Sequence, residues 1–586
     1  MTSPDLVLLH APSVYDFRQE MILYGPLADF APSPFALEQY PIHTVGLAGY
    51  LERAGLRVRL LNLARQMLEA ADFDAEAAID ALDPAAFSID LHWLAHAQGA
   101  LAVAQIVKTF HPRTPVILGG LAASYYHREL MNYPQVDYVL QGESNAHAWL
   151  QLIQGLSLGQ APDRVPGVTW RNRLGEVVEN PIGPDDAAGD DWHGSNGNHD
   201  GGWPTCLAFA RRLDTPVAVS TMVSGCPRTC ATCSDSAYAS QRMWGRAAPV
   251  VRSTEQLAAA VAAASRRNEP ITVVGDVRQT SLDYAHDFLQ RVRGFPNLIS
   301  LDLFEPAPRR YLEDVRRELG RVALEIPLHS HDPRIRRLAG RSFDNPAVEQ
   351  TIADALSLGF ERIRLYFTIG VPGQDRASVM DTVAYCDDLL ARFKSDRRLQ
   401  PFVAPLVPFL DPGSLAFEEP ERAGYRLLFR TLEEHRRALL TPSWKYALNY
   451  ETDQLARDDI VQATYDSTVA LAALRARHGV ISHDRARQIE ASIKQARALM
   501  DEIDRAITRV GAEELEDAMR TYKPLIDQVN RSGQWAEGRC DRSQQGNGSV
   551  RSGGGLGPLS QAVSRKWSSV KGWWRGRAGP GLEKKE

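Results

Sequence analysis

At 586 residues and 44% hydrophobic content, the chain is too long for one compact core, so we expect two or three domains. Its formal net charge of −6 gives no sign of nucleic-acid binding, which usually needs a strongly basic domain. The amino terminus has no cationic segment before its short apolar run, and no stretch of about 18 uncharged apolar residues occurs. We therefore expect a cytoplasmic protein.

Residues 1–181 alternate short apolar runs with helical patterns, which is typical of an α/β domain with a parallel sheet. Strands are predicted at residues 6–10, 58–61, 87–91, 116–118 and 137–140, with covering helices at 43–54 and 97–110. Two further runs, 168–170 and 177–178, predict a hairpin that closes the domain. Since ligands bind at the carboxyl ends of strands in open α/β sheets, one edge should be a binding surface.

Residues 182–214 are crowded with Gly, Asp and Asn and predict a linker. A second strand-helix series over residues 215–415 predicts a partial barrel of six units, with strands at 217–223, 271–274, 299–303, 322–326, 363–369 and 402–407. Residues 416–530 show helical patterns without strand runs and predict a helical C-terminal domain.

The last segment, residues 531–586, has 11 basic and 4 acidic residues and a composition typical of disorder. Within it, Trp567, Trp573 and Trp574 alternate with Arg and Lys residues, a pattern suited to weak contact with an anionic membrane surface. A solvated tail or a partner-binding peptide is the alternative.

Three of the six cysteines, Cys226, Cys230 and Cys233, fall within eight positions and directly follow the first strand of the second series. Three thiolates on a tight loop can hold three irons of a [4Fe–4S] cluster and leave the fourth iron open to a small molecule such as S-adenosylmethionine (SAM). A zinc site is the alternative, but zinc usually takes two pairs of ligands and a second pair is missing. The scattered Cys206 and Cys540, like Cys386, are interpreted as small buried hydrophobic residues.

The cysteine spacing and its surroundings resemble the radical SAM superfamily, whose members carry this motif at the mouth of a partial (β/α)6 barrel. The resemblance implies that Gly275 and Asp276 bind the methionine amino group and that Gly370 approaches the adenine. It also implies that Ser330 and Arg341 contact the nucleoside or its carboxylate.

The sequence departs from the family pattern at three places. Thr232 stands where an aromatic residue is usual, Asp276 replaces Glu, and the segment Pro327–His329 replaces a Gly-x-Glu motif. Asp302 and Glu305, at the end of the third barrel strand, are candidates for substrate contact, with a structural role as the alternative.

In the first domain, the segments VILGGLAAS and VDYVLQGES resemble the cobalamin-binding domain of one large radical SAM subfamily. The resemblance implies that Gly119 and Gly120 lie against the cobalamin and that Gly142 and Glu143 close the next loop. The Asp-x-His-x-x-Gly motif that supplies a cobalt ligand is missing after the first strand. His92 and His96, after the third strand, are either cofactor-facing or simply hydrogen-bonded within their loop.

Together these resemblances imply a cobalamin-dependent radical SAM enzyme. A reduced cluster would cleave SAM to a 5′-deoxyadenosyl radical, this radical would take hydrogen from an unactivated carbon, and the carbon would receive a methyl group from methylcobalamin. A radical SAM cyclisation or rearrangement, or a non-catalytic sensor module, is the alternative. The expected partners are a small-molecule or lipid-like substrate and an electron donor such as flavodoxin or ferredoxin.

Overall fold

A computed structural model describes residues 3–25, 42–70, 72–142, 145–183, 218–266, 270–406, 408–509 and 512–532. Glu143, Cys206 and Cys540 lie outside the described residues, as do most of the predicted linker and nearly all of the predicted C-terminal tail. Among the described residues, no helix is both long enough and apolar enough to cross a membrane.

The first part of the chain forms a seven-stranded sheet in the order β2-β1-β3-β4-β5-β6-β7. Its strands are β1 (Leu6–His10), β2 (Val58–Asn62), β3 (Ala86–Asp90), β4 (Val116–Gly119), β5 (Tyr138–Leu140), β6 (Val168–Arg171) and β7 (Val177–Glu179). Its helices are α1 (Ile42–Arg53), α2 (Leu63–Glu69), α3 (Ala75–Asp80), α4 (Ala97–Phe110), α5 (Leu121–Tyr125), α6 (His127–Leu130) and α7 (Ala146–Ser157).

The first five strands of this sheet are parallel, and β6 and β7 form the predicted antiparallel hairpin. Every residue of β1 and β3 is buried, as expected for strands that are covered by helices on both faces. The strand order reverses between β1 and β3, and this switch point is where open α/β sheets bind their ligands. The predicted parallel α/β architecture is confirmed.

The second part contains a six-stranded parallel sheet in the order β15-β14-β13-β12-β11-β8. The strands from β8 to β15 are β8 (Ala218–Thr221), β9 (Val223–Ser224), β10 (Val250–Val251), β11 (Ile271–Val274), β12 (Ile299–Asp302), β13 (Val322–His329), β14 (Arg362–Ile369) and β15 (Leu399–Pro405). The helices are α8 (Ala237–Trp244), α9 (Thr254–Arg266), α10 (Leu282–Arg291), α11 (Arg309–Glu318), α12 (Pro333–Leu338), α13 (Asn345–Ser357) and α14 (Arg376–Arg392).

The six predicted barrel strands are all present, but the first is split. β8 ends at Thr221, and β9 pairs antiparallel with β10 as a separate small sheet. Residues of β14 alternate between the apolar core and a polar side. On that polar side, Tyr366 donates a hydrogen bond of 2.7 Å to Glu325, whose carboxylate also lies 3.5 Å from Arg364.

The C-terminal part is mainly helical, with α15 (Leu415–Glu418), α16 (Leu432–Ala438), α17 (Trp444–Ala447), α18 (Arg457–Arg477), α19 (His483–Arg509) and α20 (Ala512–Ser532). It also contains two short antiparallel strands, β16 (Tyr425–Leu427) and β17 (Tyr450–Thr452), so the expectation of no strands here was wrong. Three residues are too few to show the alternation by which a strand is recognised in a sequence.

The C-terminal part contacts both of the preceding parts. Glu418 accepts a hydrogen bond of 2.6 Å from Tyr125 of the first sheet region and pairs at 2.7 Å with Arg242 of α8. The backbone N–H of Trp444 donates to the carbonyl of Leu23 at 3.0 Å. These contacts fix the first sheet and the barrel to a common C-terminal support.

Candidate functional site

The three clustered cysteines lie on the loop between β9 and α8, and none of them forms a disulfide. Burial raises the pKa of the Cys226 thiol, and it raises that of Cys233 further. Cys230 is close enough to influence both groups electrostatically. The thiols of Cys226 and Cys233 are therefore protonated without a metal, and metal binding would release their protons. The only other cysteine among the described residues, Cys386, is buried in α14.

Buried N–H donors without a hydrogen-bond partner among the described residues accompany this loop. They are Nε of Arg228, Nε2 of Gln279 and Nε of Arg341. The Sγ atom of Cys226 lies 4.0 Å from the side-chain oxygen of Gln279. Since buried donors are rarely left unpaired, these three fit an acceptor such as the sulfides of a cluster or the carboxylate of SAM.

Arg341 is fixed beside the cysteine loop. Its guanidinium lies 4.7 Å from the ring centroid of Phe304 and donates a hydrogen bond of 3.0 Å to the Phe304 carbonyl. Burial lowers its pKa, while the three cysteines raise it. The structure thus places this predicted site residue next to the cysteines, where its positive charge would offset the negative charge of metal-bound thiolates.

Gly340 is a residue of this site that the sequence analysis missed. It adopts φ +83°, and a Cβ atom there would lie 3.4 Å from the Cα atom of Cys230. The absence of a side chain lets the segment after α12 pack against the loop. Its position directly before Arg341 was the available signal.

Gly275 and Asp276 follow β11 at the same end of the barrel. Gly275 has φ +104°, and its N–H donates to Oδ2 of Asp302 at 2.8 Å. The carboxylate of Asp276 pairs with Arg278 and accepts a hydrogen bond of 2.9 Å from the backbone N–H of Phe304. Asp276 therefore holds its own loop in place, and contact with the methionine amino group stays a prediction.

Asp302 and Glu305 have different environments. Burial, followed in smaller part by Glu325 and Asp276, raises the pKa of Asp302 to about 7, although the Gly275 hydrogen bond opposes this shift. The side chain of Glu305 is 59% exposed and pairs with Arg228 of the cysteine loop at 2.8 Å. Asp302 is thus the better candidate for chemistry at the barrel mouth.

His329 ends β13, and Ser330 directly follows it. Among the described residues, His329 is one of three non-glycine residues with positive φ, at +62°, a conformation that tends to occur at functional sites. Burial, aided by Arg341, lowers its pKa to about 4, and its Nδ1 atom lies 3.2 Å from the Thr368 hydroxyl. Ser330 is fully buried, and its hydroxyl accepts from the backbone N–H of Asp332, so its side chain serves a turn.

Gly370, after β14, has φ +90° and lies against the C-terminal part. A Cβ atom there would lie 3.0 Å from the Tyr450 hydroxyl. Its N–H donates to Gln374 at 3.0 Å. The close neighbour is therefore protein, and approach of an adenine to this residue stays a prediction.

The glycines predicted for cobalamin follow β4 and β5. A Cβ atom on Gly119 would lie 2.6 Å from the Trp149 ring, and one on Gly120 would lie 2.7 Å from the backbone of His92. Gly142 has φ +110°, and its N–H donates to the Ser124 hydroxyl at 3.1 Å. The structure brings all three to the carboxyl edge of the sheet, where internal packing already requires the first two.

The predicted His96 is buried close to the switch point, and burial lowers its pKa to about 3. His92 lies on the same loop, with its ring 4.9 Å from that of Trp93.

The fold and the cysteine loop define a protein in which a parallel α/β sheet region precedes a partial β/α barrel with three free thiols at its mouth. Two family models match these regions: "B12 binding domain" over residues 34–148 and "Radical SAM superfamily" over residues 220–386. The chain therefore belongs to the cobalamin-binding radical SAM proteins.

Among curated proteins, the chain is similar to hopanoid C-3 methylase of Methylococcus capsulatus, with 31% identity over 144 residues. That match spans 23% of this chain and only 27% of the length of the relative. Among solved structures, the chain is similar to the radical SAM methyltransferase TsrM from Kitasatospora setae with cobalamin and a [4Fe–4S] cluster bound. The identity is 12% and the TM-score is 0.56, and the match covers 91% of this chain and 100% of the TsrM chain. The cobalamin-dependent radical enzyme OxsB with aqua-cobalamin and SAM bound gives 13% identity and a TM-score of 0.50, over 91% and 79% of the two chains. At these identities, the solved structures show a shared fold.

Proposed function

We propose that this protein is a cobalamin-dependent radical SAM enzyme that methylates an unactivated carbon of a small-molecule or lipid-like substrate. The observation that carries the proposal is the loop of three free thiols, Cys226, Cys230 and Cys233, accompanied by buried N–H donors without described partners. Three thiolates suit a [4Fe–4S] cluster with one open iron better than zinc, which usually takes four protein ligands in a structural site. Similarity to one protein described as a methyltransferase and one described as a methylase supports methyl transfer as the outcome.

The cysteines would hold the cluster, and the donors on Gln279 and Arg341 would face the cluster or the SAM carboxylate. Cobalamin would lie at the carboxyl edge of the first sheet, where the β1/β3 switch point offers the crevice that such ligands use. When bound, these groups supply reductive cleavage of SAM and a carrier for the methyl group. A flavodoxin or ferredoxin would supply the electrons, and we place the reaction in the cytoplasm, where such donors occur.

The residues of the chain contribute charge and position. Arg341 brings a positive charge to the thiolates, which lowers the cost of burying their negative charge. The ion pair of Asp276 with Arg278 fixes the loop after β11. Because its pKa is about 7, Asp302 can exist in either protonation state near neutral pH and can donate or accept a hydrogen bond at the barrel mouth.

The C-terminal part would limit the access of water. Tyr450 is fully buried and packs against Gly370 at the end of β14. Glu418 links α5 to α8 and thereby connects the first sheet region with the helix that follows the cysteine loop. Excluding water protects reactive intermediates from side reactions.

Anaerobic reconstitution with iron, sulfide, a low-potential reductant, cobalamin and SAM tests the proposal, with extract of the source cells as the substrate pool. The protein should release 5′-deoxyadenosine together with S-adenosylhomocysteine, the product of SAM that has lost its methyl group. Combined Cys226→Ala, Cys230→Ala and Cys233→Ala substitutions should abolish both. Cys386→Ala is the matched control, because this free cysteine is buried outside the loop and its loss should leave both products.

The two products separate the alternatives. 5′-Deoxyadenosine without S-adenosylhomocysteine would contradict methyl transfer and favour a cyclisation or rearrangement. If protein with a full complement of iron and sulfide releases neither product, the proposed enzymatic function is wrong and a sensor module is favoured.

A further inference from the structure

Two imidazoles and a carboxylate converge beneath the carboxyl edge of the first sheet. His10 ends β1, Asp90 ends β3, and His96 lies in the single 3-10 turn that follows β3. One possible ligand atom from each residue lies within 4.8 Å of the other two. The residues are 0%, 6% and 4% exposed, so the cluster lies inside the protein.

The contacts within this cluster leave one nitrogen in need of a partner. Nδ1 of His10 lies 3.5 Å from a carboxylate oxygen of Asp90, and the ring centroids of His10 and His96 are 5.0 Å apart. Nδ1 of His96 is buried and has no hydrogen-bond partner among the described residues. An imidazole nitrogen that carries no proton offers a lone pair to a metal ion.

The position of the cluster also points to a ligand. His10 and Asp90 end the two neighbouring strands between which the strand order reverses. Three donors that converge on one point can surround a single ion. A corrin, by contrast, fills the four equatorial positions of its cobalt and leaves only axial positions for protein ligands, so it does not use three convergent donors.

We propose that His10, Asp90 and His96 form a binding site for a divalent transition-metal ion, with Zn²⁺ as the best match. Two imidazoles and one carboxylate are a common donor set for Zn²⁺, and a water molecule would complete a tetrahedron. The ion would connect the ends of β1 and β3 to the turn that carries His96. The site is separate from the cysteine loop and does not depend on the proposed enzymatic reaction.

Zn²⁺ binding to the full-length protein tests this inference. Because the free cysteines also bind zinc, the protein should carry Cys226→Ala, Cys230→Ala and Cys233→Ala in every sample. Isothermal titration and metal analysis after dialysis should find one tightly bound Zn²⁺ per chain, with a rise in Tm. His96→Gln and Asp90→Asn should each weaken this binding by more than about tenfold, since even a lost outer-sphere partner costs that much.

His111→Gln is the matched control, because His111 lies in the same domain and bonds only a carbonyl, that of Ile79, at 2.9 Å. It should retain the bound Zn²⁺ and the rise in Tm. The metal-free His96→Gln and Asp90→Asn proteins should unfold with the same cooperativity as their parent, which separates loss of a ligand from loss of the fold.

Two results would overturn the inference. One is the absence of tightly bound Zn²⁺, or binding that the His96 and Asp90 substitutions leave unchanged. The other concerns cobalamin: if nitrogen coupling in the electron paramagnetic resonance spectrum of Co(II) cobalamin disappears in His96→Gln, then His96 is a cobalt ligand instead. If a substituted protein fails to fold, Co²⁺ is bound in place of Zn²⁺ to the protein that carries only the three cysteine substitutions. The visible spectrum of the bound Co²⁺ should then show nitrogen and oxygen ligands, and a spectrum without them would overturn the inference.

Discussion

Gly120→Ala distinguishes a glycine needed for internal packing from one needed only for a cofactor. Gly120 begins the turn into α5 with φ +114° and ψ 179°. Its missing Cβ atom would lie 2.7 Å from the Cα and N atoms of His92 and 2.8 Å from the carbonyl carbon of Leu91. The backbone there also accepts hydrogen bonds from the N–H groups of Ala122 and Ala123, so it cannot easily move.

The expected destabilisation has two parts. Backbone angles that are essentially restricted to glycine cost about 1–3 kcal/mol for another residue. Forcing a methyl group into a filled space costs about 1–3 kcal/mol more. Gly120→Ala should therefore lower the free energy of unfolding of the cofactor-free protein by about 2–6 kcal/mol.

Gly55→Ala is the matched control in the same domain. Gly55 also has positive φ, +91°, but nothing lies within 4 Å of its missing Cβ atom. Its substitution should cost only the backbone part, about 1–2 kcal/mol. Urea unfolding of the cofactor-free proteins, followed by tryptophan fluorescence, measures both. If Gly120→Ala is no more destabilising than Gly55→Ala, the space beside Gly120 is open and our account of its packing is wrong.

Three further predictions, the last with a control substitution, test the barrel and its support. Burial raises the pKa of Asp302 from 3.8 to about 7, so folding favours its protonated form and this stabilising effect is lost as pH rises through 7. Relative to Asp302→Asn, the free energy of unfolding of the wild-type protein in urea should therefore fall by about 4 kcal/mol between pH 4 and pH 8. Arg341→Met should lower the reduction potential of the reconstituted cluster, by roughly 60 mV if the reduction equilibrium changes tenfold. A spectroscopic redox titration measures this shift, and an unchanged potential would contradict the placement of Arg341 beside the cysteines. Glu418→Ala should cost about 1–3 kcal/mol by unpairing Tyr125 and Arg242. The control Arg422→Ala, which removes an exposed ion pair, should be less destabilising in the same urea assay.

The parallel strands of the two large sheets were predictable because buried parallel strands leave nearly continuous apolar runs. β1 and β11 coincide with their predicted bounds, and the hairpin of β6 and β7 was marked by the turn between them. The cysteine loop was predictable for another reason. Its three ligands are close together in the sequence, so no tertiary contact was needed to recognise them.

The histidine and aspartate cluster could not be predicted in the same way. His10 and Asp90 are distant in the sequence and meet only because β1 and β3 are neighbours in the sheet. In the sequence, His96 was grouped only with the nearby His92 and not with these partners. Ligands contributed by different strands become visible only once the strand order is known.

Sequence motifs identified residue types without showing what those residues face. The carboxylate of Asp276 occupies a family position, but Arg278, only two residues later, uses it for an internal ion pair. Gly370 also occupies a family position, but the space beside its Cα atom is filled by Tyr450 from a distant part of the chain. A substitution at either position would disturb the fold before any cofactor is bound. Its effect on cofactor binding is therefore interpretable only after the stability of the cofactor-free protein has been measured.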